Sequence, residues 1–157
     1  MSTALDFMLA ARRSEMQGLQ ALALTCQLVG KISRLVHALQ RERGFSNMYL
    51  GGQSERYLQS LDELSETAVR HENAVRSAFD GMDLERSCGA DKARLLTRIA
   101  FVLHSFDGLS ALRSRVRGQQ VGAQEATRSF TRLVAGLLAV VFEAADTAVD
   151  PHITRTL

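Results

Sequence analysis

An arginine stands where helical periodicity requires an apolar side chain, in the stretch LVHALQRERGFSNMYLGG that covers residues 35–52. The residues before it form an apolar stripe at steps of three and four: Thr25, Val29, Ile32, Val36 and Leu39. The next position on that stripe is Arg43, and the stripe resumes at Leu50. A buried guanidinium without a partner is costly, so the pattern predicts that an anionic group neutralises Arg43.

Two kinds of anionic partner fit an inward-facing Arg43. One is a carboxylate of another helix in a buried ion pair, for which the candidates are Glu63, Glu66, Glu72 and Glu143. The other is a bound small anion, because the forked donors of a guanidinium match a planar oxyanion or carboxylate. Periodicity alone favours the ion pair, which is the more common arrangement in proteins.

The neighbours of Arg43 on the helix would supply the rest of an anion-binding shell. At about 100° per residue, Gln40, Ser46 and Asn47 fall on the same inward half of the helix and offer amide and hydroxyl donors. Gly44 removes a side chain and would let a helix or a ligand approach closely. Arg43, Gln40, Ser46 and Asn47 therefore belong to the predicted ligand-binding set, and Gly44 is a neighbour that supports it.

The other charged residues fit the predicted anion-binding site less well. Arg41 points to the opposite side of the helix with Arg34 and His37, a pattern typical of a solvated basic face. Glu42 lies near the edge of the apolar stripe, where it could pair with another helix or orient one of the arginines. Arg113 continues an apolar stripe of a later helix, which makes it a candidate for a second interior-facing arginine beside the site. Its place near that helix's end favours the alternative of a boundary cation.

Four amphipathic helices are predicted to position these residues. They cover about residues 6–50, 55–79, 91–117 and 123–149, with Ser54 as the N-cap of the second. Glycines follow the first three of these helices and act as stop signals. Short connections predict an all-α, antiparallel four-helix bundle with a long first helix, in one domain spanning 1–157.

The last residues, DPHITRTL, carry a helix-start signal. Asp150 is a good N-cap and Pro151 a good first helical residue, so a fifth helix is predicted to begin there. A helix this short would be marginal on its own. The sequence is therefore interpreted as the N-terminal part of a longer domain.

Composition excludes several function classes. A net charge of +2 is too small to predict nucleic-acid binding, and no apolar run approaches the length of a membrane span. Cys26 and Cys88 match no metal-site spacing and are typical of reduced thiols in a cytoplasmic protein. No catalytic motif is present, so no enzyme activity, metal or cofactor is predicted.

The run LVHALQRERG, from Leu35 to Gly44, resembles the signature of the NIT family of nitrate- and nitrite-sensing helical domains. The family motif reads approximately Leu-Val-His-x-Leu-Gln-x-Glu-Arg-Gly, and every fixed position is present here. Residues 112–141 resemble a second conserved block of the family more loosely.

The resemblance implies an all-helical cytoplasmic sensor that binds nitrate or nitrite through arginines. Its motif arginines are Arg41 and Arg43, so Arg41 joins the predicted ligand-binding set. It also implies an output module, such as an ANTAR RNA-binding antiterminator, a histidine kinase, a cyclase or a chemoreceptor. That module and a later arginine-bearing motif of the family lie outside these 157 residues. No membrane contact and no direct nucleic-acid contact is expected of this segment.

A rival hypothesis comes from a different functional class. It is a helical dimerisation or interaction module in which Arg43 is held in an internal ion pair and no small ligand binds. A homodimer suits a signalling bundle in either case, although no residue of the sequence singles it out.

Overall fold

Four helices account for most of the residues that the computed structural model describes, which are 2–52, 55–82 and 90–153. They are α1 (Ala4–Gly52), α2 (Arg56–Asp80), α3 (Ala90–Arg117) and α4 (Ala123–Ile153). Side chains are described within 2–52, 55–82 and 92–148. The prediction of an all-α chain with a long first helix is confirmed. The predicted N-cap, Ser54, and the second cysteine, Cys88, lie outside the described residues.

The helices run antiparallel around a closed ring of contacts. α1 packs against α2 and α4, and α3 packs against α4 and, less extensively, against α2. Ion pairs between neighbouring helices show the direction: Arg117–Asp62 and Arg76–Asp107 join α3 to α2, and Arg115–Glu125 and Arg94–Glu143 join α3 to α4. In each set a later residue of one helix meets an earlier residue of the other. This is the ordinary consequence of helices joined by short connections.

Apolar residues from all four helices meet along the bundle axis. The most deeply buried include Ile32, Leu35 and Leu39 of α1, Leu61, Ala68 and Val75 of α2, Val102 and Phe106 of α3, and Phe130, Leu137 and Val140 of α4. Their spacing of three, four or seven residues puts each set on one helical face. Burial of these faces stabilises the bundle and fixes the rotation of each helix about its axis.

The first half of α1 carries no part of this core. From Ser2 to Gln27 every residue is exposed except Thr25, which is half-buried, and the core begins at Leu28. The exposed side chains of this segment include several large hydrophobic ones, namely Leu5, Phe7, Met8, Leu9, Met16, Leu19, Leu22 and Leu24. We call this segment, residues 4–27, the α1 arm.

The C-terminal prediction needs correction. α4 continues through Asp150 and Pro151 to Ile153, so the described residues show no separate fifth helix beginning at 150. A proline in a late turn of a helix removes one backbone hydrogen bond, and here it does not divide the helix. Asp150 and Pro151, residue types typical of a helix start, therefore lie within the last turns of α4. Residues 154–157 lie outside the described part of the chain.

Among the described residues, one helix meets the length and composition of a membrane span. It is α3 over Lys92–Arg117. This signal is weak on its own, because a core helix of a soluble protein meets it as well. In this structure Val102, Phe106 and Leu109 of α3 are buried in the core of the bundle.

Candidate functional site

The charge that α1 buries in the bundle is Glu42. Its side chain is 1% exposed, and the guanidinium of Arg113 holds both of its oxygens. Nε of Arg113 donates to Oε1 at 2.7 Å, and Nη2 donates to Oε2 at 3.1 Å. The hydroxyl of Ser65 donates to the same Oε1 at 2.9 Å. Glu42 therefore links α1 to both α2 and α3, as a carboxylate with three donors.

This arrangement corrects the interpretation of Arg113 as a boundary cation. Its side chain is 11% exposed and forms a two-pronged ion pair inside the bundle. The expectation that Glu42 could pair with another helix is confirmed. The long side chain of Arg113 reaches this carboxylate from α3, although α1 and α3 are not neighbours in the ring of helices.

Arg43 is placed differently from its prediction. It is half-buried at the edge between α1 and α4, and Nη1 donates to Oγ1 of Thr131 at 3.0 Å. No carboxylate of the described residues contacts it. Two of the proposed partners are engaged elsewhere, because Glu72 pairs with Arg76 and Glu143 with Arg94. Both the core position and the internal ion pair predicted for Arg43 are therefore wrong.

The error comes from the step that follows Leu39. On a helix the next position of a face lies three or four residues on, which offers both Glu42 and Arg43. The buried residues of this part of α1 are Leu35, Leu39, Glu42, Ser46 and Tyr49. The face of α1 that points to the bundle axis therefore continues through Glu42. Arg43 lies beside this face, toward α4.

The other predicted ligand-binding residues divide between two sides of α1. Gln40 and Asn47 are exposed, on the same side as Arg43 by helical spacing. Ser46 is buried on the axial side, where it borders the Glu42–Arg113 pair. Gly44 is exposed, and a Cβ placed there would meet nothing within 4 Å. No helix of the described residues therefore makes a close approach at Gly44, and the predicted approach of a ligand stays a prediction.

Arg41 lies on the far side of α1 from Arg43, facing α2. It lines a cleft of about 430 Å³ between the two helices, with Arg34, His37, Leu64, Thr67 and His71. The side of α1 predicted as a solvated basic face is indeed exposed at Arg34, His37 and Arg41. Sequence reasoning missed that α2 brings a hydroxyl and an imidazole to the opposite wall.

A third polar region runs between α2 and α3. The guanidinium of Arg76 lies 3.5 Å from Glu72 and 3.4 Å from Asp107, and it stacks 5.1 Å from the ring centre of Phe106. Burial raises the pKa of the Glu72 carboxyl, and Arg76 opposes that effect. Arg76 therefore has carboxylate partners. This distinguishes the region from the two sides of α1 at Arg41, Glu42 and Arg43, which we call the RER motif.

A family profile decides what kind of domain this is. The profile of the NIT family, described as nitrate and nitrite sensing, matches residues 34–157. The chain belongs to the NIT family. The match includes the whole of the motif around Arg41 and Arg43. The chain is therefore a sensory domain and not an enzyme.

Two known proteins extend the comparison. A nitrate regulatory protein of Klebsiella oxytoca is 37% identical to the chain over 150 residues. The solved structure of the NasR transcription antiterminator matches this NIT domain with a TM-score of 0.75 and 36% identity. These alignments cover 94% and 95% of the chain but only 36% and 39% of the two relatives. The chain therefore corresponds to little more than a third of either protein.

Proposed function

We propose that this NIT domain is the nitrate- or nitrite-binding input of a cytoplasmic regulator of transcription antitermination. The family supplies the ligand class, and the similarity to the NasR transcription antiterminator supplies the kind of output. An RNA-binding module of the ANTAR type would then act outside the segment described here. The domain itself would contact the anion and not the nucleic acid.

The ligand proposal rests on which charged side chains of the RER motif form ion pairs. Glu42 is neutralised by Arg113, whereas Arg41 and Arg43 on either side of it contact no carboxylate of the described residues. A motif with two arginines and one glutamate could have neutralised itself locally. Instead the glutamate is engaged in the core, which leaves both arginines available for an external anion.

Arg43 is the better placed of the two arginines for a single planar monoanion. Arg43 is itself half-buried, its Nη1 contacts Thr131 of α4, and the exposed Gln40 and Asn47 lie on the same side of α1. Partial burial strengthens a charge-assisted hydrogen bond relative to one in open water. Arg41 lies about 200° around the helix, so the two motif arginines as placed here do not converge on one small anion.

An anion at this edge would connect α1 to α4 through Arg43 and Thr131. Binding can change the relative position of the helices only as far as the anion prefers one arrangement over the other. A coupling of about 1–3 kcal/mol is typical of such effects. The switch is therefore proposed to be a small readjustment of α4 against α1 that passes along the long helices.

The test is calorimetric titration of the 157-residue chain with nitrate, nitrite and chloride. Nitrate or nitrite is expected to bind saturably and chloride to bind weakly. Arg43→Ala is expected to weaken binding at least about tenfold, because it removes the charge-assisted donors. Arg98→Ala, which removes an exposed arginine of α3, is the control, and it is expected to leave the affinity unchanged.

Two results would contradict this assignment. Equal affinity of the wild type and Arg43→Ala would place the anion elsewhere. Chloride binding as tight as nitrate binding would show that the site recognises charge alone. Circular dichroism of Arg43→Ala should match the wild type, which separates loss of the site from loss of the fold.

We also propose, as a second function, that the chain self-associates through the α1 arm. Leu5, Met8, Leu9, Met16, Leu19 and Leu22 are exposed at helical spacings and form an apolar stripe that Arg12 interrupts. A second copy of the same helix offers a matching stripe, and two such helices can bury them against each other. This retains the dimerisation part of the rival hypothesis without its ion pair at Arg43.

Sedimentation velocity tests this second proposal. Wild type is expected to show a concentration-dependent dimer, and Leu19→Glu is expected to weaken dimerisation at least about tenfold by placing a charge in the apolar seam. Leu24→Glu is the control, because Leu24 is also exposed but lies off the stripe. A strictly monomeric wild type, or equal effects of the two substitutions, would reject the arm as the interface.

A further inference from the structure

The stripe of the α1 arm follows a heptad pattern that carries two opposite charges at its centre. The apolar residues at the a and d positions of the outer heptads are Leu5, Met8, Leu19 and Leu22. The a and d positions of the middle heptad hold Arg12 and Glu15 instead. Both are exposed, and neither forms an ion pair with a described residue. A seam between two helices that includes these positions needs a partner of opposite charge for each of them.

We propose that the α1 arm pairs with the arm of a second copy of this chain in antiparallel orientation, with Arg12 of each copy against the partner's Glu15. The inference rests on the self-association proposed above and adds its orientation and register. It depends on the charge pattern of the arm, which is complementary to itself when one of the two helices is reversed.

The apolar residues support the same register. When Arg12 is aligned with the partner's Glu15 on a reversed helix, each a position of one arm faces a d position of the other. The apolar pairs that then face each other are Leu5 with the partner's Leu22, Met8 with the partner's Leu19, and, along one edge of the seam, Leu9 with the partner's Met16. Every residue of the stripe therefore meets an apolar residue of the second copy.

The central charges select the antiparallel orientation. The apolar layers alone would also pair in a parallel, in-register dimer. That arrangement would put Arg12 beside the partner's Arg12 and Glu15 beside the partner's Glu15, and like charges so placed oppose association. The antiparallel arrangement replaces these contacts by two identical ion pairs related by a two-fold axis. The apolar layers then supply most of the affinity, and the charged layer fixes orientation and register.

The length of the arm leaves room for this pairing. α1 begins at Ala4, and the core of the bundle begins only at Leu28. In the proposed register Ala4 faces the partner's Ala23, so the arms overlap over about 20 residues, or roughly 30 Å. The overlap therefore lies outside the part of α1 that is buried in each bundle. The two bundles would stand at opposite ends of the paired arms.

Charge substitutions test the contact by sedimentation velocity of the 157-residue chain. Arg12→Glu is expected to weaken dimerisation at least about tenfold, because each dimer then contains two contacts between glutamates. Glu15→Arg is expected to act likewise. An equimolar mixture of the two variants is expected to dimerise as tightly as the wild type, since the mixed dimer regains opposite charges at both contacts. Arg13→Glu makes the same change of charge beside the seam and is expected to leave the dimer unchanged.

Disulfide cross-linking under mild oxidation tests the orientation. Cys26 is exposed at the next a position of the arm, and Cys88→Ser leaves it as the sole thiol. The two Cys26 side chains are roughly 38 Å apart in the antiparallel dimer, so no cross-link is expected. A parallel dimer would bring them within disulfide range.

A second cross-linking experiment gives the positive signal. Met8→Cys and Leu19→Cys are made in separate chains that also carry Cys26→Ser and Cys88→Ser. The mixture of the two chains is expected to form a disulfide-linked dimer, and neither chain is expected to do so alone. Circular dichroism of every variant should match the wild type, because the substituted residues of the arm lie outside the core.

The outcomes separate this proposal from the one on which it rests. A wild-type dimer that cross-links through Cys26, or that Arg12→Glu and Arg13→Glu weaken equally, would overturn the antiparallel register and leave self-association standing. Failure of the mixed charge variants to dimerise would overturn the contact between Arg12 and the partner's Glu15. A strictly monomeric wild type would reject both proposals and leave the stripe to a different partner.

Discussion

Replacing Arg113 with alanine is expected to lower the free energy of unfolding by about 3–5 kcal/mol. The substitution leaves Glu42 at 1% side-chain exposure with only the Ser65 hydroxyl as a donor, because both guanidinium contacts are lost. A carboxylate desolvated in this way must either remain charged without a cation or take up a proton, and both cost free energy. Urea unfolding followed by circular dichroism at neutral pH measures the loss.

Two further variants make this prediction specific. Arg98→Ala removes an exposed arginine from the same helix and is expected to change the stability by less than about 0.5 kcal/mol. Arg113→Lys keeps the charge but not the fork, so its loss should be smaller than that of Arg113→Ala and still measurable. A loss below about 1 kcal/mol for Arg113→Ala would mean that water reaches Glu42 in the folded protein.

The buried pair also explains how the motif can present its two arginines. Glu42 is held from α3 by Arg113 and from α2 by Ser65, so the rotation of α1 at this turn is fixed. Its neighbours in sequence then point about 100° to either side. Arg41 is turned toward α2 and Arg43 toward α4 as a direct result. The glutamate of the motif orients the arginines without contacting them.

The helices themselves could be predicted because their signals are local. Gly81 and Gly118 directly follow α2 and α3, α1 ends on Gly51 and Gly52, and the apolar spacing identifies the face that is buried. The antiparallel direction of neighbouring helices followed from the short connections between them. The same local reasoning failed at Pro151, because a start signal and an internal proline near a helix end involve the same residues.

The pairing inside the bundle could not be predicted from local signals. Glu42 and Arg113 are 71 residues apart in sequence. Their meeting depends on the axial offset and the rotation of α3 relative to α1, which the packing of the whole core sets. A period of 3.6 residues left Glu42 and Arg43 equally good as the next position after Leu39. A second inward arginine on another helix was the signal that could have favoured the glutamate.

The cleft shows a similar limit. The spacing of Arg34, His37 and Arg41 and the spacing of Thr67 and His71 are each visible in the sequence. What the sequence lacked was the register that places the two faces opposite each other. Antiparallel packing of α2 on α1 supplies it, since Glu42 meets Ser65 and the earlier residues of α1 then meet later residues of α2.

Phe130→Ala is expected to destabilise the bundle by about 3–5 kcal/mol, comparably to Arg113→Ala. The Phe130 ring is 1% exposed on α4, and it borders the space around Glu42, Ser65 and Arg113. Its removal loses apolar burial and also leaves a cavity beside a charged pair. Thermal and urea unfolding measure the loss, and Phe142→Ala is the control, since that ring is 69% exposed.

A double-mutant cycle of Phe130→Ala with Arg113→Ala separates the two contributions. If the ring keeps water from the ion pair, a cavity at Phe130 lets water reach Glu42, and the loss of Arg113 then costs less. The double variant is therefore expected to be less destabilised than the sum of the single variants by about 1 kcal/mol or more. Strict additivity would mean that the ring contributes packing only, and that the ion pair depends on Arg113 and Ser65 without help from the apolar core around it.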